Sequence, residues 1–218
     1  MKLLTFYSDS HEDLYKEFFL SSYNEHLKDS FELKAKHVTQ HSQSGDYGSD
    51  GFSETMLEKI NHIIESINPE ENEPLVFADC DIQFFGDFKE DIVKQLGDMD
   101  IKFQNDVVCR CAGFFVCQQT DKVLTFFENI KKILIKNMRP GVDDQVVINS
   151  ALQQNLFPNL NHGMLDNKYF TVAMVTGAQQ WTGQDFTIPP NILTHHGNWT
   201  VGMNNKIKVM NYVKNQLS

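Results

Sequence analysis

The chain has 218 residues, 41% of them hydrophobic and 22% charged. These are ordinary globular values, and the length is enough to bury a full core without disulfide or metal staples. The formal net charge of −10 argues against nucleic acid or an anionic membrane surface as the main partner. An anionic substrate would need local help from a metal or a few placed cations. No run approaches the roughly 18 uninterrupted apolar residues of a transmembrane helix, and residues 1–7 are too short and too soon polar for a signal peptide. A soluble, cytoplasmic protein without an integral membrane segment is therefore expected.

In chain order, residues 3–7 read as a strand, 11–23 as a helix, and 31–38 alternate like a strand. Residues 39–51 are polar and rich in Gly and Ser, hence a loop. Phe52, Met56, Ile60, Ile63 and Ile67 recur at helical spacing until Asn68-Pro69 ends the run. Residues 74–79 form a short buried strand, 82–88 a turn out of the sheet, and 87–96 a short helix. A buried strand follows over 112–117. Val123, Phe127, Ile130 and Leu134 mark a helix that Pro140-Gly141 breaks, and 143–153 is another. The stretch 155–191 is mixed, with a strand over 169–175, and 204–217 closes the chain as a helix. Alternating strands and helices indicate an α/β fold with a largely parallel sheet.

The four cysteines are Cys80, Cys109, Cys111 and Cys117. Cys109-Arg110-Cys111 has poor spacing for zinc, and no second pair follows, so reduced thiols are expected. Asn198-Trp199-Thr200 fits a glycosylation sequon but carries no meaning without secretion.

The tripeptide Asp79-Cys80-Asp81 ends the apolar run Pro74-Leu75-Val76-Phe77-Ala78. Open α/β sheets bind ligands at the carboxyl ends of their strands. Two carboxylates this close repel each other, more so when buried. Mg²⁺ or Mn²⁺ relieves the conflict, and one or two carboxylates plus substrate phosphates is a usual arrangement for Mg²⁺. The competing reading is a solvated turn.

Four segments in order carry a family resemblance. Val76-Phe77-Ala78-Asp79-Cys80-Asp81-Ile82-Gln83-Phe84-Phe85 resembles the DxD segment of GT-A-fold nucleotide-sugar glycosyltransferases. Cys111-Ala112-Gly113-Phe114-Phe115-Val116 resembles their Asn-Ser-Gly-Phe-Phe strand, with Cys111-Ala112 departing from Asn-Ser. Asp143-Asp144-Gln145-Val146-Val147-Ile148-Asn149 resembles their Asp-Gln helix start. His195-His196-Gly197-Asn198-Trp199-Thr200-Val201-Gly202, with Lys206 beyond, resembles their late His-x-Asn-Trp-x-x-Gly segment. The chain is also similar to the small DxD glycosyltransferases of large algal viruses.

The resemblance implies a GT-A fold, a single Rossmann-like domain over 1–218 with a mostly parallel mixed central sheet flanked by helices. About 1–100 would be the nucleotide-binding half and about 101–218 the sugar and acceptor half. It implies Mn²⁺, or Mg²⁺, on Asp79, Asp81 and His196, with His195 the competing histidine. Donor contacts fall to Tyr7, Ser8, Lys59, Asp79, Cys80, Gly113, Gly202 and Lys206. Tyr7 and Ser8 would hold the nucleoside, Gly202 and Lys206 the diphosphate. Asp144 and Gln145 would face the transferred sugar. For each of these a structural alternative stands. Tyr7 could be core, Lys59 and Lys206 exposed helix lysines, and Asp143 or Asp144 a helix cap. The loop over 44–51 could close over a donor or be passive surface. Asp144 and Asp166 are both conceivable bases.

The implied activity is transfer of a sugar from a nucleoside-diphosphate sugar, UDP favoured, to an acceptor hydroxyl of a glycan or glycoprotein, without nucleic acid. The DxD-plus-late-His arrangement leans towards retention, by analogy. Two other classes remain open. One is a non-catalytic nucleotide-sugar-binding module. The other, disfavoured because Ser8-Asp9-Ser10-His11 has neither Gly nor Lys, is a sugar nucleotidyltransferase.

Overall fold

A computed structural model describes residues 1–139 and 141–217. Its strands are β1 (Lys2–Tyr7), β2 (Glu32–His37), β3 (Leu75–Ala78), β4 (Ile82–Phe84), β5 (Ile101–Asn105), β6 (Arg110–Cys117), β7 (His162–Met164), β8 (Tyr169–Thr171) and β9 (Thr194–His196). Among the described residues, six strands form a mixed sheet in the order β2-β1-β3-β6-β5-β7, and β4-β9-β8 form a small second sheet. The β1/β2, β1/β3 and β5/β7 pairs are parallel, while β6 runs antiparallel to both β3 and β5. No described helix is long and apolar enough to cross a membrane.

Alternation along β3 explains why this strand is apolar throughout. Leu75 and Phe77 enter one core, Val76 and Ala78 the other, so both faces are buried. The first core lies under α3 (Phe52–Ser66), α5 (Asp121–Asn137) and α6 (Asp144–Gln153), whose Ile60, Phe127 and Val147 pack onto it. The second is covered by the helical stretch after β1 and by α4 (Lys89–Leu96), through Phe19, Tyr23 and Ile92. Thr120 caps α5 and Asp143 caps α6, each side chain accepting from the N–H three residues on.

The expected elements meet the structure with four corrections. The helix expected over 11–23 is a composite. A 3₁₀ turn (Asp9–His11) leads into one helical turn, α1 (Glu12–Leu14), then a π-helical segment (Tyr15–Leu20) and α2 (Ser21–His26). The expected turn over 82–88 contains β4, which leaves the main sheet only to enter the second one. The strand expected over 169–175 stops at Thr171, and the short α7 (Ala173–Thr176) follows. Strands β5, β7 and β9 were not expected, because all three are short and carry polar residues. The last helix, α8, runs over Met203–Leu217. Helix α5 ends at Asn137, and the break expected at Pro140 lies outside the described residues.

Candidate active site

Two sheets meet at Asp79-Cys80-Asp81. The β3/β6 ladder runs one bond past β3, the Asp79 N–H donating to the Gly113 carbonyl at 2.7 Å. On the other side the Gly197 N–H donates to the Asp81 carbonyl at 2.9 Å, and Ile82 sits opposite His196 in the β4/β9 register. This junction gathers Asp79, Asp81 and His196, one ligand atom of each lying within 4.8 Å of the others. His196 Nε2 is 3.2 Å from Asp81 Oδ1. Lys206 Nζ, from the first turn of α8, donates to Asp81 Oδ2 and, at 3.3 Å, to the Gly197 carbonyl.

Gln104 sets the state of His196. Its Nε2 donates to the carbonyls of Tyr169 and Phe170, both at 3.2 Å, which turns Oε1 towards His196 Nδ1 at 2.9 Å. An amide oxygen only accepts, so Nδ1 carries a hydrogen, and Nε2 is the ring nitrogen that faces the carboxylates. An imidazole hydrogen-bonded through its other nitrogen is the usual metal-ligand arrangement, with Nε2 left to face the ion. Gly113 supplies the space. A Cβ there would lie 2.4 Å from His196 Cε1 and 2.5 Å from Asp79 Oδ2. Two carboxylates and one imidazole suit Mn²⁺, and Mg²⁺ less well.

The other histidine faces the opposite way, as alternation on β9 requires. His195 is fully buried, its Nδ1 accepting from Gln83 Nε2 at 2.9 Å while that amide also donates to the Met210 carbonyl at 3.1 Å. Burial pushes its pKa down to about 3, so it is a neutral core residue.

The two aspartates are electrostatically unequal. Burial, with Asp81 alongside, raises the Asp79 pKa to about 6 against the pull of Lys59. Burial also acts on Asp81, but Lys206 and His196 outweigh it and hold that carboxyl well below the usual range. Lys59 is buried, with Nζ 2.9 Å from Asp144 Oδ2, 3.1 Å from Asp79 Oδ1 and 4.8 Å from the centre of the Phe77 ring. Burial opposes its charge, yet Asp144 and Asp79 raise its pKa overall. The aspartate pair at the start of α6 divides its work. Asp143 Oδ1 accepts from the Val146 N–H at 2.7 Å and caps the helix, while Asp144 turns in to Lys59. Burial and Asp144 raise the Asp143 pKa to about 6.

A cavity of about 230 Å³ opens above the cluster. Tyr7, Ser8, Lys59, Asp79, Cys80, Gly113, Asp144, Gln145, His196 and Lys206 all line it, with Asp81 at its base. Tyr7 stacks on Tyr15, centroids 4.1 Å apart at 6°, so one face of its ring is taken. Gln145 is tied to β6, its Oε1 accepting from the Ala112 N–H at 3.1 Å. Gly202, at φ +84°, does not line the cavity; its N–H donates to Asp46 Oδ1 at 3.1 Å. Asp46 belongs to the glycine-rich loop, and Gly45, Asp46 and Tyr47 of that loop line the cavity. The loop is therefore a roof, pinned to Gly202 on one side and, by Tyr47 OH at 3.3 Å, to the Gly141 carbonyl on the other. Asp166 stands away from the cavity, its side chain 48% exposed beside Lys168.

Four cavity or supporting residues had no site role assigned from the sequence: His11, Gln104, Asp106 and Asn198. Asp106, 1% exposed, accepts from Asn198 Nδ2 at 2.7 Å and Trp199 Nε1 at 2.8 Å. These bonds hold Trp199 at φ +54°, a conformation uncommon for a bulky residue. A lone Asp after an unrecognised strand carried no pattern. Asn198 lay inside a quoted motif without a role of its own.

The junction of a mixed α/β sheet with two carboxylates at a strand end is the architecture of GT-A glycosyltransferases. The glycosyltransferase GlyE of Streptococcus pneumoniae TIGR4 superposes with a TM-score of 0.60 at 16% identity, over 99% of this chain and 64% of that one. A glycosyltransferase involved in glycosylation of the major capsid of PBCV-1 gives 0.60 at 11%, over 97% and 98%. The galactosyltransferase LgtC, solved with donor and acceptor sugar analogues, gives 0.57 at 11%, over 90% and 86%. The chain thus spans about 64% of GlyE's length. No curated protein sequence matches it significantly. The profile of the nucleotide-diphospho-sugar transferases matches residues 18–210, and the chain belongs to that family.

Proposed function

We propose that this protein is a metal-dependent glycosyltransferase that moves a sugar from a nucleoside-diphosphate sugar, UDP-sugar favoured, to an acceptor hydroxyl of a glycan or glycoprotein. One observation carries the reading: His196 is held with Nε2 towards Asp79 and Asp81, one ligand atom of each within 4.8 Å of the others, beside a cavity, in a family of nucleotide-sugar transferases. Mn²⁺, or Mg²⁺, would be held by Asp79, Asp81 and His196, and when bound it supplies positive charge for the phosphate oxygens of the leaving diphosphate. Lys206 adds a second cation there. Tyr7 and Ser8, at the end of β1, hold the nucleoside. Cys80 contributes backbone between the aspartates. Gly202 acts indirectly, pinning the roof loop. Lys59 orients Asp79 and Asp144 together. Asp144 accepts from sugar hydroxyls, and serves as base if the acceptor comes within reach. Gln145 fixes β6 against the sugar. The protein acts as one domain, residues 1–100 serving the nucleotide and 101–218 the sugar and acceptor, in the cytoplasm.

A second reading, a binding module without turnover, is favoured by Cys111-Ala112, which offers the sugar no hydroxyl or amide side chain. A thermal-shift screen of UDP-, GDP-, TDP- and CMP-sugars with and without Mn²⁺ tests both. Ligand at about 100 times its dissociation constant adds roughly 2.7 kcal/mol, on the order of 5–10 °C for this size. The expected result is a Mn²⁺-dependent shift for one nucleotide that Asp81→Asn abolishes, followed by release of nucleoside diphosphate. A shift without release supports the binding module. No shift with any donor removes the metal–nucleotide reading.

A further inference from the structure

The cavity end beyond Asp79, away from Tyr7 and Ser8, has an unusual hydrogen-bond balance. Every side-chain N–H donor lining it is already engaged. Asn198 Nδ2 lies 2.7 Å from Asp106 Oδ1, and Trp199 Nε1 lies 2.8 Å from Asp106 Oδ2. Gln145 Nε2 lies 3.4 Å from both Asp106 Oδ2 and Cys109 Sγ. Lys59 Nζ is divided between Asp79 and Asp144. A carboxylate only accepts, so Asp106 turns the amide nitrogen of Asn198 towards itself. That leaves Asn198 Oδ1 buried with no partner, in a residue that lines the cavity. A buried acceptor without a partner is costly unless a ligand supplies the donor. Cys111, Ala112 and Gly113 complete this wall without offering a side-chain oxygen or nitrogen. Among side-chain nitrogens and oxygens the free capacity is therefore acceptor-only, and the carboxylates Asp106, Asp143 and Asp144 outnumber Lys59.

We propose that this end reads the transferred sugar through hydroxyl and N–H donors, one of them bonded to Asn198 Oδ1, and so takes neutral sugars and rejects uronic acids. The inference rests on the nucleotide-sugar reading given above. A hexose presents several O–H donors to such a wall. A sugar carboxylate would meet like charge and no uncommitted side-chain N–H donor, and would be desolvated with poor compensation.

The test measures equilibrium binding, with Mn²⁺ present, of nucleotide sugars that differ only at C6: UDP-glucose against UDP-glucuronate, and GDP-mannose against GDP-mannuronate, each beside its free nucleoside diphosphate. The neutral member of the pair whose nucleotide binds is expected to bind at least about tenfold tighter than the uronate. Asn198→Ala is expected to weaken the neutral sugar nucleotide about tenfold and leave the free diphosphate unchanged, which also certifies the fold of the variant. Asp106→Asn, which removes the charge and replaces one of the two acceptor oxygens with a donor, is expected to narrow the neutral-to-uronate ratio. Equal or tighter binding of the uronate overturns the inference while the donor reading stands. So does an Asn198→Ala effect as large on the free diphosphate as on its sugar ester. If no nucleoside diphosphate binds, the donor reading itself fails and this inference falls with it.

Discussion

Gly113 leaves the cluster no spare room, and its side of the site can be probed by one methyl group. With a Cβ placed 2.4 Å from His196 Cε1 and 2.5 Å from Asp79 Oδ2, Gly113→Ala must displace one ligand or the other. Overpacking of this kind costs about 1–3 kcal/mol; the larger effect is expected on Mn²⁺ binding, which a titration followed by electron paramagnetic resonance would show as lost. Normal Mn²⁺ affinity in Gly113→Ala would mean that the ion does not sit against this glycine. Asp79 adds a pH signature. Burial first, and Asp81 second, raise its pKa to about 6, so below that pH a proton competes with the metal for this oxygen. Affinity is expected to be flat above about pH 7 and to fall about tenfold per unit below about pH 6. Asp81, held low by Lys206 and His196, contributes no such step. An affinity independent of pH over this range would take Asp79 out of the ligand set.

At the scale of elements, the decisive feature is the broken register between β5 and β6. Phe103 pairs with Phe115, and the next residue, Gln104, pairs with Cys111. The extra residues of β6 leave that ladder, and the Ala112 N–H is given to Gln145. The same jump places Gln104 under His196. Gln104→Leu is expected to lower Mn²⁺ affinity by about 10–100-fold, the usual cost of losing a partner behind a metal-binding histidine. An unchanged dissociation constant would show that His196 needs no such support. Caps away from the cavity should behave differently. Thr120→Ala removes the Thr120 Oγ1 bond to the Val123 N–H and is expected to cost about 1 kcal/mol in urea unfolding, with donor binding untouched. The long helices were legible because their apolar spacing is local. Strands β5 and β7 were not, because a few residues with polar interruptions look like a loop until partners are known. The run 82–88 was misread for the same reason: β4 is a strand only through β9, far along the chain.

For the molecule as a whole, Lys59 ties together segments far apart in the chain. It comes from α3 and bridges Asp79, after β3, to Asp144, at the start of α6. Lys59→Met would bury two carboxylates without their cation, and breaking such a pair typically costs about 3–5 kcal/mol. Denaturant unfolding should show this loss, and Mn²⁺ should recover part of it by binding the folded state. A variant as stable as wild type would mean that water or protonation already relieves these groups.

The α/β class and the strand ending in Asp79-Cys80-Asp81 were readable from the sequence alone, since they depend on local apolar periodicity and on which residues end a run. The order of the four motifs was equally legible. Tertiary structure decided which histidine faces the carboxylates, which of Asp143 and Asp144 caps a helix, and that Gln104, Asp106 and Asn198 belong to the site. Those outcomes are set by strand register, by the bulge in β6 and by hydrogen bonds between residues far apart in the chain, none of which leaves a periodic trace in the sequence.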